Sequence, residues 1–165
     1  VEFNAHELLR LLFYSPDQYE DECLDVTTQS EFIFIQASVA GGQGGGLAIK
    51  NIRNNEWVFT TNEFSVQAIL YVPKKKLFIG YTNVTTYAWA TMYLSLITLK
   101  GDVTTLSLFS RDNLKNGKER NNLLEDFETE FSPESDIVYD EKEDFIYFLQ
   151  RWRCKLTEVI EAAES

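Results

Sequence analysis

At 165 residues, with 44% hydrophobic and 14% aromatic content, the chain can bury one real core, and its composition argues against intrinsic disorder. A formal net charge of −11 opposes non-specific attraction to nucleic-acid phosphates. The longest mostly apolar run, Ala88 to Leu99, spans 12 residues and carries Thr91, Ser95 and Thr98, too short for a bilayer span.

In chain order, Ala5 to Tyr14 places Leu8, Leu9, Leu12 and Phe13 on one side of a short helix. Ser15-Pro16-Asp17-Gln18 has the spacing of a second helix start, running to about Leu24. From Glu31 to Ser110 the chain is β-rich. Phe32 to Ala40 forms a strand that ends in the tract Gly41-Gly42-Gln43-Gly44-Gly45-Gly46. Leu47 to Ile52 and Glu56 to Thr61 follow around Asn54-Asn55. Val66 to Val72 and Leu77 to Tyr81 form a hairpin around Pro73-Lys74-Lys75-Lys76. Thr85 to Leu99 reads as one long strand or two, and Lys100-Gly101-Asp102 turns it into Val103 to Phe109.

Beyond residue 116 the period changes. Leu123, Leu124, Phe127 and Phe131 share a helical face, and Phe145, Phe148, Leu149, Trp152, Leu156, Val159 and Ile160 predict a last helix from about Glu141 to Ala163. The expected architecture is α+β: a central, mainly antiparallel sheet with helices at the N- and C-termini. One domain covers 1–165, helical over 1–25, β-rich over 31–110 and helical over 116–163.

Catalytic signatures are scarce. His6 is the only histidine and lies in no nucleophile motif. The cysteines, Cys23 and Cys154, read as reduced, buried thiols. The glycine tract continues into a strand, so it lacks the helix start that a phosphate-binding loop requires. Its expected role is a flexible loop beside a sheet edge, with Gly41, Gly42, Gly44, Gly45 and Gly46 letting that edge open. No calcium-loop pattern occurs, and the triple lysine reads as a solvated hairpin tip. Neither a cofactor nor a metal nor enzymatic activity is expected, and no leader pattern opens the chain, so the expectation is a soluble cytoplasmic protein.

Charge is the informative feature. Ten acids between Glu125 and Asp144 face only Lys142, so that stretch carries −9 of the net −11. Asp140, Glu141, Glu143 and Asp144 suit the start of the last helix, where the dipole favours carboxylates, as Asp17 and Glu20 suit the second. Glu125, Asp126, Glu128 and Glu130 fall toward a helix end that opposes them. These four are the leading candidates for meeting a cationic partner, with Asp17, Glu20, Asp21 and Glu22 as a second acidic group.

In its size, acidity, hairpin-rich centre, glycine loop and two acidic clusters, the chain resembles the immunity proteins of bacterial contact-dependent growth inhibition systems. The resemblance implies an inhibitor that binds a cognate cationic toxin, a nuclease domain, through an acidic surface. Some members of that group take a toxin β-hairpin as an added strand, and the resemblance extends that expectation to this chain's own sheet. The alternatives are a phage-type DNA mimic and a small carboxylate-dependent enzyme, the latter needing a deep pocket with paired carboxylates.

Overall fold

β-Branched and aromatic residues dominate from Val26 to Phe109, and they form strands joined by tight turns. The computed structural model describes residues 22–39, 45–85, 88–112, 114, 117–127, 137–148 and 152–165. Among the described residues there are thirteen strands and one α-helix, and every strand pairing is antiparallel. They fall into two compact units, Val1–Val66 with Leu99–Asp102, and Gln67–Thr98 with Val103–Ser165.

The first unit holds a four-stranded meander in the order β1 (Glu22–Gln29), β2 (Phe32–Val39), β3 (Gly45–Asn51) and β4 (Glu56–Thr61). The inner strands carry its core: Phe34, Ile35, Ala37, Leu47, Ala48 and Ile49 are fully buried. Val58 is bulged out of the β3–β4 ladder, since Ile49 pairs with Phe59 while Lys50 pairs with Trp57.

The second unit holds two sheets. One is a five-stranded meander of β5 (Ala68–Val72), β6 (Leu77–Thr85), β7 (Trp89–Thr98), β8 (Val103–Asp112) and β9 (Gly117–Arg120). Between β5 and β6, Pro73–Lys75 makes a 3-10 turn that Lys76 leaves at φ 49°. The other sheet runs in the order β10 (Glu125–Asp126), β13 (Trp152–Lys155), β12 (Phe145–Phe148) and β11 (Ile137–Asp140). The helix α1 (Leu156–Glu164) follows β13 directly. Ile79, Tyr81, Leu94, Leu108, Ile146, Phe148, Cys154, Leu156 and Val159 form a single core that joins both sheets and α1.

The expected α+β class is corrected: the described chain is mostly β, in three antiparallel sheets with one short C-terminal helix. The central strands lie close to their expected positions, but they are divided between sheets. The expected helix over residues 5–14 lies outside the described residues, as does most of the second; where description begins, Glu22–Leu24 is already strand. No helix occupies 117–127, because β9 and β10 stand there.

The long last helix is also absent, and helix begins only at Leu156. Phe145-Ile146-Tyr147-Phe148 is a short unbroken run of aromatic and β-branched residues, which helical spacing alone cannot separate from a strand. Partner strands on both sides decide the matter. Ile146 and Phe148 enter the core, while Phe145 meets Arg153 on the other face. The acids of Asp140–Asp144 form the preceding turn instead of a helix start. There the Asp140 carboxylate accepts the Lys142 N–H at 3.0 Å, and Asp144 adopts φ 60°.

Candidate functional site

Strand register places Glu125 opposite Arg153, and Asp126 opposite Trp152. The Arg153 Nε–H donates to the Glu125 carboxylate at 2.8 Å. The Trp152 indole N–H donates to Asp126 at 3.1 Å, and Arg120 pairs with the same oxygen at 3.3 Å. Both acids are half-exposed or more, at 52% and 70% of their side chains, so they remain in contact with solvent. Their charge is nevertheless offset inside the unit. The helix-end argument no longer singles them out, because β10 is a strand.

Arg153 organises the outer face of this sheet. Its guanidinium lies 4.0 Å from the Phe145 ring centroid and 4.8 Å from that of Phe127. The rings of Phe127 and Tyr147 lie beside it, tilted by 55° with their centroids 5.0 Å apart. Burial alone would lower the Arg153 pKa, but Glu125 and Tyr147 outweigh it and hold the charge above its usual range. Sequence reading did not single out Arg153. The available signal was alternation: residues 145, 147, 153 and 155 share one face of a strand pair.

The turn of Asp140–Asp144 has internal partners as well. Lys74, in the turn between β5 and β6, pairs with Glu141, and the charge of Lys75 acts on Asp144. The triple lysine is thus partly engaged by the acidic turn. Tyr139 donates its hydroxyl to Asp144 at 2.8 Å. Burial first, then that bond and the charges of Asp144, Glu141 and Asp140, push the Tyr139 phenol up to about 12.

The remaining sequence candidates scatter. Glu128, Glu130, Asp17, Glu20, Asp21, Gly41, Gly42 and Gly44 lie outside the described residues. Glu22 opens β1 opposite Val39. Gly45 and Gly46 are buried in β3, an inner strand with β2 and β4 on its two sides.

The first sheet has two edges among the described residues, β1 and β4, and β1 is the longer and more regular. All eight of its residues pair with β2 without a bulge, and no described strand lies beyond it. Asp25, Val26, Thr27 and Thr28 are exposed, Val26 at 50%, while Ile35 opposite Val26 is fully buried. Charge is concentrated in this unit. By sequence the first unit has four bases against eleven acids, net −7, and the second eleven against fifteen, net −4.

Among the described residues no group of histidine, cysteine, aspartate and glutamate side chains could hold a metal ion, and no helix is long and apolar enough to cross a membrane. No family model, curated protein or solved structure matches the chain.

Proposed function

We propose that the protein works by binding, as an immunity-type inhibitor that neutralises a cationic toxin, a nuclease domain, in the cytoplasm. The observation that carries this reading is β1: eight residues in unbroken register, with Asp25, Val26, Thr27 and Thr28 exposed, along one of the two outermost described strands of its sheet, the other, β4, being broken by a bulge. Proteins usually blunt such edges with bulges, prolines or charged side chains; β1 has no bulge, proline or lysine, and Asp25 is the charge it exposes. A strand from a partner would extend the sheet there through main-chain hydrogen bonds. The −7 of the first unit favours a basic strand and speeds its encounter. The charge of the second unit contributes less, because Glu125, Asp126 and Glu141 already have basic partners.

The test starts from the genes that flank this one: any toxin domain encoded there is co-expressed with the chain. The wild-type chain should restore growth. An Asp25→Lys, Val26→Lys double variant with an unchanged circular dichroism spectrum should not. A toxin indifferent to the wild-type chain would sink the reading. Full protection by the double variant would move the contact away from β1.

A further inference from the structure

The hairpin that joins β1 to β2 fixes which main-chain groups of the edge are left for a partner. Its loop is only Ser30-Glu31, with Ser30 at φ 56° and Gln29 paired with Phe32. In a two-residue hairpin the closing pair exchanges both main-chain hydrogen bonds, and every second pair behind it does the same. Thr27 with Phe34 and Asp25 with Gln36 are therefore bonded pairs, and their N–H and C=O groups point into the sheet. Leu24, Val26 and Thr28 alternate with them and turn theirs outward, so each offers one donor and one acceptor to the open edge.

Side-chain rows across the sheet set what should lie opposite these residues. One row runs Ala48, Ile35, Val26: the first two are fully buried, and Val26 ends the row half-exposed. An apolar side chain in an added strand would extend that row and cover Val26. The neighbouring row runs Leu47, Gln36, Asp25, passing from fully buried through half-buried to exposed. Among the described residues the Asp25 carboxylate has no hydrogen bond or ion pair. A cation belongs opposite it. In an antiparallel addition, the pairing of every described strand, Asp25 would fall in a non-bonded pair, where opposing side chains approach most closely.

We infer that the partner strand alternates, with lysine or arginine where it passes Asp25 and an apolar residue where it meets Val26, held by the main chain of Leu24, Val26 and Thr28. The inference rests on the binding reading above and narrows it. A uniformly basic strand would leave Val26 uncovered, and a uniformly apolar one would cover Asp25 without giving it a partner. A second copy of β1 carries no base to meet Asp25.

The test uses main-chain hydrogen exchange in the ¹⁵N-labelled full chain, with acetyl-Lys-Val-Lys-Val-Lys-Val-amide as probe. In the free chain the Asp25 and Thr27 N–H groups should exchange slowly, and those of Val26 and Thr28 quickly. Saturating probe should slow Val26 and Thr28 by about tenfold. A block peptide of the same composition, Lys-Lys-Lys-Val-Val-Val, and an alternating Glu-Val peptide should have no such effect. Asp25→Asn should weaken probe binding about threefold, and Asp25→Lys should transfer the preference to the Glu-Val peptide. Slow exchange at Val26 and Thr28 in the free chain, an equal response to the block peptide, or no response to the probe would overturn the inference. Protection by the probe, with toxin neutralisation that survives the Asp25→Lys, Val26→Lys double change, would keep the edge preference and retire β1 from the immunity reading. Neutralisation lost by that variant, with no response to the alternating probe, would keep the reading and retire the alternation.

Discussion

The Asp144 carboxylate accepts the Thr157 hydroxyl at 2.6 Å and the Thr157 backbone N–H at 3.1 Å. The Asp144 carbonyl also accepts the Leu156 N–H at 2.9 Å. Lys155, at the local cap position of α1, makes no side-chain capping bond. The first turn of the helix is therefore capped from a distance by the turn before β12.

This arrangement sets a pH dependence. Burial alone would raise the Asp144 pKa, but the bonds from Thr157 and Tyr139 and the charge of Lys75 outweigh it, and the net direction is down. A depressed carboxylate contributes stability that is present above its unfolded pKa and lost as pH falls through the folded one. Asp144→Ala should cost about 1 kcal/mol at neutral pH. Urea titrations should show the gap closing below the usual carboxylate range. A gap independent of pH would mean that the carboxylate charge plays no part.

Arg153 joins a hydrogen bond to Glu125 with stacking on Phe145 and Phe127. Arg153→Met should destabilise by about 1–2 kcal/mol, and Arg153→Lys should recover only part of that, since lysine lacks the planar fork. High salt should remove the share due to Glu125 and leave the share due to the rings. Chemical denaturation at two salt concentrations separates them.

Cys154 is fully buried, and burial first, then the charges of Glu125 and Glu158, push its thiol up to about 12. In a Cys23→Ser background the native protein should react very slowly with a thiol reagent at mildly alkaline pH, and rapidly once unfolded. A fast native reaction would contradict this burial.

Gly45 and Gly117 should differ sharply in their tolerance of alanine. A Cβ at Gly45 would sit 2.7 Å from the Ala37 carbonyl oxygen and 2.9 Å from the Ser65 Cβ, whereas at Gly117 it meets nothing within 4 Å. Gly45→Ala should cost about 1–3 kcal/mol, and Gly117→Ala should lie within about 0.5 kcal/mol of the parent. Thermal melts of the two variants are sufficient.

The hairpins from Phe32 to Phe109 were legible because alternation, turn residues and strand length agree there. Glu56–Thr61, around Asn54-Asn55, is the clearest case. The C-terminal third was not, because its apolar spacing fits a helix and a pair of short strands equally well. What separates them is pairing over distance: Phe145 with Lys155, and Glu125 with Arg153. Those same pairings change the candidate site. A count of acids along the chain cannot see that Arg153, Arg120 and Lys74 return to meet them. Nor can it see that β1 ends up outermost, since strand order is a property of the whole sheet.

The irregularity in β8 has a consequence for the history of the chain. Met92 pairs with Phe109 but Tyr93 pairs with Ser107, which leaves Leu108 as an extra residue whose side chain is fully buried. Leu106 before it and Phe109 after it both pack against the core, so the strand changes parity at this point. Loss of one residue at Leu108 would straighten the ladder and preserve the facing of both halves, at the cost of one core side chain. Loss of Phe109 would do the same, with Leu108 taking its place opposite Met92, whereas loss of a residue toward either end of β8 would turn the residues between it and the bulge to the wrong face. Length variation among related chains should therefore gather at Leu108 and Phe109 and be purged from the ends of β8.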